Sequence, residues 1–466
     1  MNAAANRLPT GTAAKLEAFL TDWLSEDRIP GVSLALVDGE TVAYAGGFGA
    51  RDLSTNAPAT ARTLYGIGSC TKSFTALSIM QLSQAGRLDV DDPVTDYVPH
   101  LDGVDGEPVT IHQLLTHTSG MPSDGQAVAL IARLTGENPV EVPLSDREDF
   151  RAHVRGAAPD RVTDEGDRFF YYNSGYTILG EVIREVSGRP YAEYVEEQIL
   201  DPLGMSRSTF SEAAFAETDD RMTPYTREDG ASVAAAFPFD DHLAAAGGLL
   251  SCVSELTAYL QLYMRDGDDE TSVIEADALE RMLQPHSTRR RRLDGSAYRY
   301  GYGWGLDDFC GDVLVGHSGS VGVSTGYLGV LRGTGRSVAV GCNTTHGYGL
   351  AEIGKAALAI WDGRDPADVV PLFGLRRKLE AVTGEYAAYR GLQTASVERD
   401  GGTLEVTMAT DLRERTLPVF PETTDPDEYR FYTVTAAGNR TTVTFDVDDG
   451  RATDLYVDRW RLHRDG

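Results

Sequence analysis

Lysine is nearly absent from this chain. Lys15, Lys72, Lys355 and Lys378 are the only four in 466 residues. Arginine carries almost all the positive charge, and 42 basic residues face 71 acidic ones, for a formal net charge of −29. So acidic a surface repels nucleic acid and anionic membranes, which excludes both as partners. Acidity together with lysine depletion points to the cytosol of an extremely halophilic cell. In molar salt the Debye length shrinks to about 3 Å, so the self-repulsion is screened. Cysteine is scarce too: Cys70, Cys252, Cys310 and Cys342 are scattered and form no C-x-x-C pair. Neither a disulfide framework nor a zinc site is indicated. No apolar run is long enough to cross a membrane. Residues Met1 to Arg7 lack the apolar segment of a signal peptide, so the expected location is the cytoplasm. There is no H-E-x-x-H and no other metal spacing, and no cofactor is expected.

What is present centres on Ser69-Cys70-Thr71-Lys72. The residues that follow, Phe74, Leu77, Ile79, Met80 and Leu82, occupy most faces of a helix, so the run reads as a buried helix ending at Gly86. Residues three apart share a helix face. Ser69 would sit in the first turn with the Lys72 amine above it. A serine hydroxyl needs a base to become a nucleophile. A buried lysine near a positive helix N-terminus gives up its charge readily and can be that base. A chance pairing is the bland alternative. None of the other three lysines has a serine three residues before it.

Around this helix the chain reads as an α+β domain. Leu16, Phe19, Leu20, Trp23 and Leu24 fall at helical spacing after a candidate N-cap, Thr12. Val32–Val37 and Thr41–Gly46 flank Asp38-Gly39, a hairpin signal. Residues 87–260 read as helices and loops, with a long polar surface excursion over 121–165. Ala244-Ala245-Ala246-Gly247-Gly248 suits a close approach of backbone. Strands return from about 298, at Val313–Val315, Gly326–Leu331 and Ser337–Cys342, followed by a helix over Ala351–Trp361. The pattern predicts an antiparallel sheet that is begun near residue 31, interrupted by a helical insert and completed after 298. Gly363 to Asp368 reads as a linker, which sets domains at 1–365 and 366–466. A short helix over Leu375–Ala381 follows. Beyond Gly384, strands at Leu404–Met408, Tyr429–Val434, Thr441–Val447 and Asp454–Arg461 predict a small all-β barrel or sandwich.

Two further clusters complete a pattern: Tyr171-Tyr172-Asn173, and His317-Ser318-Gly319-Ser320 after an apolar strand. Alone, a tyrosine among 21 is most often core, and a lone histidine is usually structural. In this order, S-x-x-K, Y-x-N and [KH]-x-G resemble the serine β-lactamase and penicillin-binding-protein-like hydrolases. Leu114 to Gly120 (LLTHTSG) and Pro202-Leu203-Gly204-Met205 add context that is similar to the class C branch, with its esterases, D-aminopeptidases and D-Ala-D-Ala carboxypeptidases. The resemblance covers about residues 12–362 and implies the same split sheet and helical insert. It implies that Ser69 is the acylated nucleophile and Lys72 its base. Tyr171 would shuttle a proton to the leaving group, and Asn173 would orient Lys72 and the substrate amide. Gly319 and Ser320 would line the substrate strand, with the N–H groups of Ser69 and Ser320 as the oxyanion hole. Where the lactamases carry lysine this chain has His317, mostly neutral at pH 7. That weakens the expectation of β-lactamase or carboxypeptidase activity and favours esters and amides without a carboxylate. A neutral His317 would have one hydrogen bond for Tyr171 or the substrate.

Other patterns are weaker. Gly322 to Gly326 fits G-x-S-x-G, but the residues that follow read as strand, where a nucleophile elbow needs a helix. Gly349 to Lys355 spells most of a P-loop, with Ala356 in place of the required Ser or Thr. Arg289 to Arg292 reads as a solvated loop, with an anionic-ligand patch as the alternative. The expectation is a serine hydrolase acting on a small-molecule or short-peptide substrate. A β-lactamase or D,D-carboxypeptidase, and a non-catalytic binding module on the same fold, are the rivals.

Overall fold

The computed structural model describes residues 2–465 apart from 124, 137–143, 145, 163–167, 265–272 and 293–294. It divides into two compact units, Met1–Trp361 and Asp362–Gly466.

In the first unit, helix α1 (Thr10–Glu26) buries Leu16, Leu20, Trp23 and Leu24 on one face, as the spacing requires. It starts after Pro9, so Thr12 lies inside the first turn and does not cap it. Strands β2 (Gly31–Asp38) and β3 (Thr41–Asp52) form the expected hairpin, with Gly39 at φ +55° in the turn. The chain returns to this hairpin far along the sequence, when β9 (Arg336–Cys342) pairs antiparallel with β2, Val338 opposite Leu36 and Val340 opposite Leu34. The sheet runs β1-β3-β2-β9-β8-β7-β6-β5-β4, with Ala57–Pro58 a short tenth strand beside β3. Here β1 is Asn2–Asn6, β4 Ser287–Arg291, β5 Ala297–Tyr300, β6 Gly305–Phe309, β7 Asp312–Ser320 and β8 Thr325–Leu331. The second half of the sheet thus starts at Ser287, earlier than the expected 298. A strand from Asn2 to Asn6, which the sequence reading did not contain, joins the other edge.

Between the two halves lie the helices, among them α2 (Thr71–Gln84) and α3 (Asn173–Ser187). Every residue of α2 from Thr71 to Met80 is buried, because apolar side chains cover all its faces. The stretch 121–165, expected as an excursion, contains two helices, Gln126–Thr135 and Arg147–Ala157. Phe150 and Val154, four apart and buried, anchor the second of them. The remaining part of that expectation falls partly outside the described residues. Helix α4 (Asp241–Gly247) packs near α2 and α3, and α5 (Ala351–Trp361) covers the sheet.

In the second unit a short helix, Pro366–Val369, precedes α6 (Pro371–Val382), which is longer than the expected 375–381. Eight antiparallel strands then close a barrel. They are β10 (Gly384–Ala387), β11 (Thr394–Asp400), β12 (Thr403–Thr410), β13 (Arg413–Pro421), β14 (Arg430–Val434), β15 (Arg440–Asp448), β16 (Arg451–Val457) and β17 (Trp460–Arg464). Asp454–Arg461, expected as one strand, is two, because the chain reverses at Asp458, φ +54°. Val406, Val419, Phe431, Val443 and Leu455 fill the barrel, and Leu379 and Val382 of α6 join that core. Closure leaves no free strand edge.

Candidate active site

Ser69 lies in a single 3₁₀ turn, Gly68–Cys70, that leads into α2. Gly68 takes φ +53°, and a Cβ there would lie 2.4 Å from the backbone nitrogen of Ser320. A Cβ on Gly319 would lie 2.3 Å from the nitrogen of Ser69. Two glycines are therefore required for the end of β7 to close on the Ser69 turn. This approach brings the N–H groups of Ser69 and Ser320 to one place.

The Lys72 amine, fully buried one turn on, is 3.1 Å from Ser69 Oγ. It also donates to Asn173 Oδ1 at 2.8 Å and to the Ala246 carbonyl at 2.7 Å. Asn173 is the first residue of α3, and Ala246 lies in the last turn of α4, so three helices meet on one nitrogen. Burial lowers the Lys72 pKa to about 7, and the Arg289 guanidinium pushes in the same direction.

The Tyr171 hydroxyl hydrogen-bonds to Ser69, and its ring lies 4.9 Å from the Lys72 amine. Burial pushes this phenol well above the usual tyrosine range, so it stays protonated. Tyr171 is held from behind by His117. The His117 carbonyl accepts from Phe170 N–H at 2.9 Å, and its Nδ1 accepts from Tyr172 N–H at 3.0 Å. The imidazole packs 4.4 Å from the Tyr171 ring, centroid to centroid. His117 takes φ +59°, a left-handed conformation uncommon for a residue with a side chain. Burial drives its pKa well down, and the neutral ring is the form that can accept at Nδ1.

His317 is placed differently from the sequence expectation. Tyr300 O–H donates to its Nε2 at 3.0 Å, and its Nδ1–H donates to the Ser318 carbonyl at 2.7 Å. Both ring nitrogens are taken, so neither is left for Tyr171 or a substrate. Burial, with Lys72 and Arg289 adding to it, lowers its pKa to about 3, so the ring is neutral across the physiological range. It supports the floor of the site.

These groups open into a cavity of about 520 Å³ lined by Ser69, Tyr171, Arg289, Tyr298, His317 and Ser320, among others. The structure brings Ser69, Lys72, Tyr171, Asn173, Gly319 and Ser320 together. Sequence reasoning named Arg289 only within a run of four arginines, read as a solvated loop with an anionic-ligand patch as the alternative, and it missed the roles of His117, Tyr300 and the Ala246 carbonyl. The one available signal was the Ala-Gly stretch 244–248, read as a close backbone approach. Ser324, the alternative nucleophile, is fully buried and donates to the Gly66 and Cys342 carbonyls at 2.8 and 2.9 Å. Lys355, from the P-loop-like string, lies inside α5 and pairs with Asp307 at 3.0 Å.

Residues 13–360 match the protein family described as Beta-lactamase. The chain belongs to that family. Residues 366–463 match a second description, Pab87 octamerisation domain. Among solved structures, the octameric penicillin-binding protein homologue from Pyrococcus abyssi aligns with a TM-score of 0.87 at 37% identity, over 97% of this chain and 99% of that one. A D-stereospecific amidohydrolase from Streptomyces sp. aligns at 0.61 and 26% identity, over 76% of this chain and 99% of that one. Protein flp of Staphylococcus aureus is 27% identical over 320 residues, which is 68% of this chain and 60% of that protein. This chain therefore spans less than two thirds of that relative's length. The fold expectation holds in both parts: a β-lactamase-like sheet with helices, and a C-terminal all-β barrel. No described helix is long and apolar enough to cross a membrane.

Proposed function

We propose that this chain is a serine hydrolase that forms an acyl-enzyme at Ser69 on small esters or peptide-like amides. The observation that carries this reading is the setting of Lys72. A neutral amine has two N–H bonds and one lone pair. Here the two N–H bonds suit Asn173 Oδ1 and the Ala246 carbonyl, which leaves the lone pair for the hydroxyl proton of Ser69. With its pKa lowered to about 7, the amine is largely neutral at pH 8 and basic enough to take that proton.

Ser69 Oγ attacks the substrate carbonyl carbon as its proton passes to Lys72. The oxygen gains negative charge beside the N–H groups of Ser69 and Ser320. Losing one such donor typically costs about 10²–10³ in rate. Tyr171 gives its phenol proton to the leaving group and regains one from the Lys72 ammonium. Because Tyr171 is held protonated, it acts here as a donor and Lys72 as the base. Water then releases the acyl group by the reverse sequence. Fluorophosphonate treatment followed by mass spectrometry should place one adduct on Ser69. An adduct on Ser324 overturns the assignment.

The amidohydrolase among the related structures supports an amide-cleaving activity beside esterase activity. The β-lactamase and D,D-carboxypeptidase alternative is separated by nitrocefin hydrolysis against p-nitrophenyl esters and D-amino-acid anilides. The short Ser69–Lys72 contact argues against a non-catalytic binding module. The barrel carries none of the three motifs, and we assign it to assembly, with the octameric relative as support. Mass photometry of the full chain should give a species several times the 50.4 kDa monomer, and a monomer contradicts it. The acidic surface supports a salt-rich cytoplasm. The thermal midpoint should climb steeply toward molar KCl, and a flat midpoint contradicts that.

A further inference from the structure

The Ala246 carbonyl engages one N–H of Lys72, yet the side chains around that carbonyl are too small to fix it. Helix α4 is 7 residues long and ends in Ala244-Ala245-Ala246-Gly247. The last carbonyls of a helix have no partners within the helix. Leu249 N–H, which would close a further turn onto Ala245, donates instead to Thr71 Oγ1 at 3.2 Å. The carbonyls of Ala245 and Ala246 therefore turn to α2 for their partners.

Helix α2 meets this segment with Thr71, Lys72 and Thr75, all fully buried. Lys72 Nζ donates to the Ala246 carbonyl, and Thr75 Oγ1 lies 2.7 Å from the Ala245 carbonyl. Thr71 Oγ1 passes its own proton to the Gly68 carbonyl at 2.7 Å. The orientation of Thr75 follows by elimination. A carbonyl only accepts, so the Thr75 proton goes to Ala245, and its oxygen accepts from the Tyr191 hydroxyl 2.8 Å away. Tyr191 opens the short helix Tyr191–Val195, and burial pushes its phenol above the usual tyrosine range, so the donor stays in place. Thr75 has a second choice, the Thr71 carbonyl at 3.4 Å, the i−4 partner open to any helical threonine. The shorter contact selects Ala245, and Tyr191 holds the hydroxyl in that rotation by occupying a lone pair.

We propose that Thr75, oriented by Tyr191, is a positioning residue for the reaction at Ser69, holding the end of α4 where the Ala246 carbonyl takes one N–H of Lys72. Only the two dihedrals of Ala246 separate its carbonyl from that of Ala245, so fixing one narrows the direction of the other. Without the Thr75 bond the Ala246 carbonyl can turn away, and the Lys72 lone pair is no longer confined to the Ser69 side. A carbonyl acceptor also favours the ammonium over the amine, because charged donors bond more strongly. Losing it therefore moves the ionisation of Lys72 to lower pH. The inference rests on the proposed hydrolase reading, and the experiment separates the two.

Four variants test it. Thr75→Val keeps the shape and removes the hydroxyl, Thr75→Ser keeps the hydroxyl, and Tyr191→Phe removes the donor behind it. Ser78→Ala is the control: it deletes a buried hydroxyl of α2 that bonds to the Phe74 carbonyl within the helix. The first readout is fluorophosphonate labelling of Ser69 against pH, per folded molecule. In Thr75→Val the plateau rate should fall about tenfold, and the midpoint should move to lower pH. Tyr191→Phe should move both the same way by less. Thr75→Ser should recover the plateau to within about threefold of wild type, and Ser78→Ala should match wild type. Ester hydrolysis by Thr75→Val should lose kcat with KM within about twofold. Cys70, His117, Tyr171, Tyr176, His317 and Arg289 surround Lys72 and are unaltered in every variant, so a moved midpoint reports the carbonyl. The second readout needs no turnover. Stability rises with pH between the folded and unfolded pKa of Lys72, so a lower folded value starts the rise at lower pH. Thermal midpoints of Thr75→Val should show that earlier onset. If wild-type Ser69 takes no fluorophosphonate while the onset still moves, the hydrolase reading fails and the positioning of Lys72 stands. If Thr75→Val does not fold, Tyr191→Phe decides both readouts. An onset that does not move, a wild-type plateau in a labelled variant without the hydroxyl, or a loss that Thr75→Ser does not recover overturns the proposal.

Discussion

The chain buries two of its four lysines, one in each unit, and their surroundings differ. Lys72 and Lys378 are both 0% exposed. Lys378, in α6 of the barrel unit, donates to the carbonyls of Thr423 and Asp425 at 3.0 and 3.1 Å. Glu428, Asp425 and Glu422 add negative charge around it, and they oppose the lowering of its pKa by burial. Lys72 has a carbonyl, an amide oxygen and a hydroxyl, and no carboxylate among the groups that shift its pKa. At Lys378 acidic neighbours oppose burial, and the amine ties two loop carbonyls to α6. Burial without them yields an amine that titrates near neutral pH. The surroundings, not burial alone, set how readily a buried lysine gives up its proton.

The largest expected effect is on activity. Lys72→Met should lower the kcat of ester hydrolysis by about 10³, within the range of 10²–10⁴ for removing a general base. Lys378→Met should leave kcat within about twofold. Equal losses from the two would break the comparison. The next effect is on stability. Lys378→Met leaves two carbonyls without their donor and should cost about 1–3 kcal/mol in denaturant unfolding of the barrel. For Lys72 the folded pKa, about 7, lies below the ordinary lysine value of 10.5. Between those values the unfolded chain binds the extra proton, so stability rises with pH across that window. Below pH 7 both states are protonated and the penalty of the buried charge is complete. Thermal midpoints measured from pH 6 to 10 should show this rise in the wild type and lose it in Lys72→Met.

A smaller effect sharpens the picture at His317. With both ring nitrogens engaged, His317→Lys should not move substrate preference toward carboxylates by more than about threefold. It should cost about 1–3 kcal/mol, because Tyr300 and the Ser318 carbonyl lose their partner. A tenfold shift in the kcat/KM ratio of paired substrates would mean that residue 317 faces the substrate after all.

The sequence was most readable where local pattern and final contact coincide. Ser69 and Lys72 needed only helical spacing to meet, and α5 has the bounds its apolar pattern predicted. The hairpin at Gly39 needed only its turn residues. Elements defined by distant partners were not legible. Asn2–Asn6, with three alanines, has little strand character of its own and exists because it pairs with β3. Barrel strand β13 exposes Arg413, Glu414 and Arg415, so its apolar face shows only in Leu417 and Val419. At the site, the Ala246 carbonyl is backbone and leaves no residue signature. The turn of Arg289 into the cavity depends on a one-residue bulge, and the engagement of His317 depends on Tyr300 from two strands away.

The central claim is that burial without a carboxylate makes Lys72 the base for Ser69. The pH dependence of fluorophosphonate labelling at Ser69, followed by mass spectrometry, tests it most directly. The rate should rise about tenfold per pH unit below 7 and level off above 8, with a single ionisation near the Lys72 value of about 7. A rate that is flat from pH 5 to 9, with the adduct still on Ser69, would contradict the account.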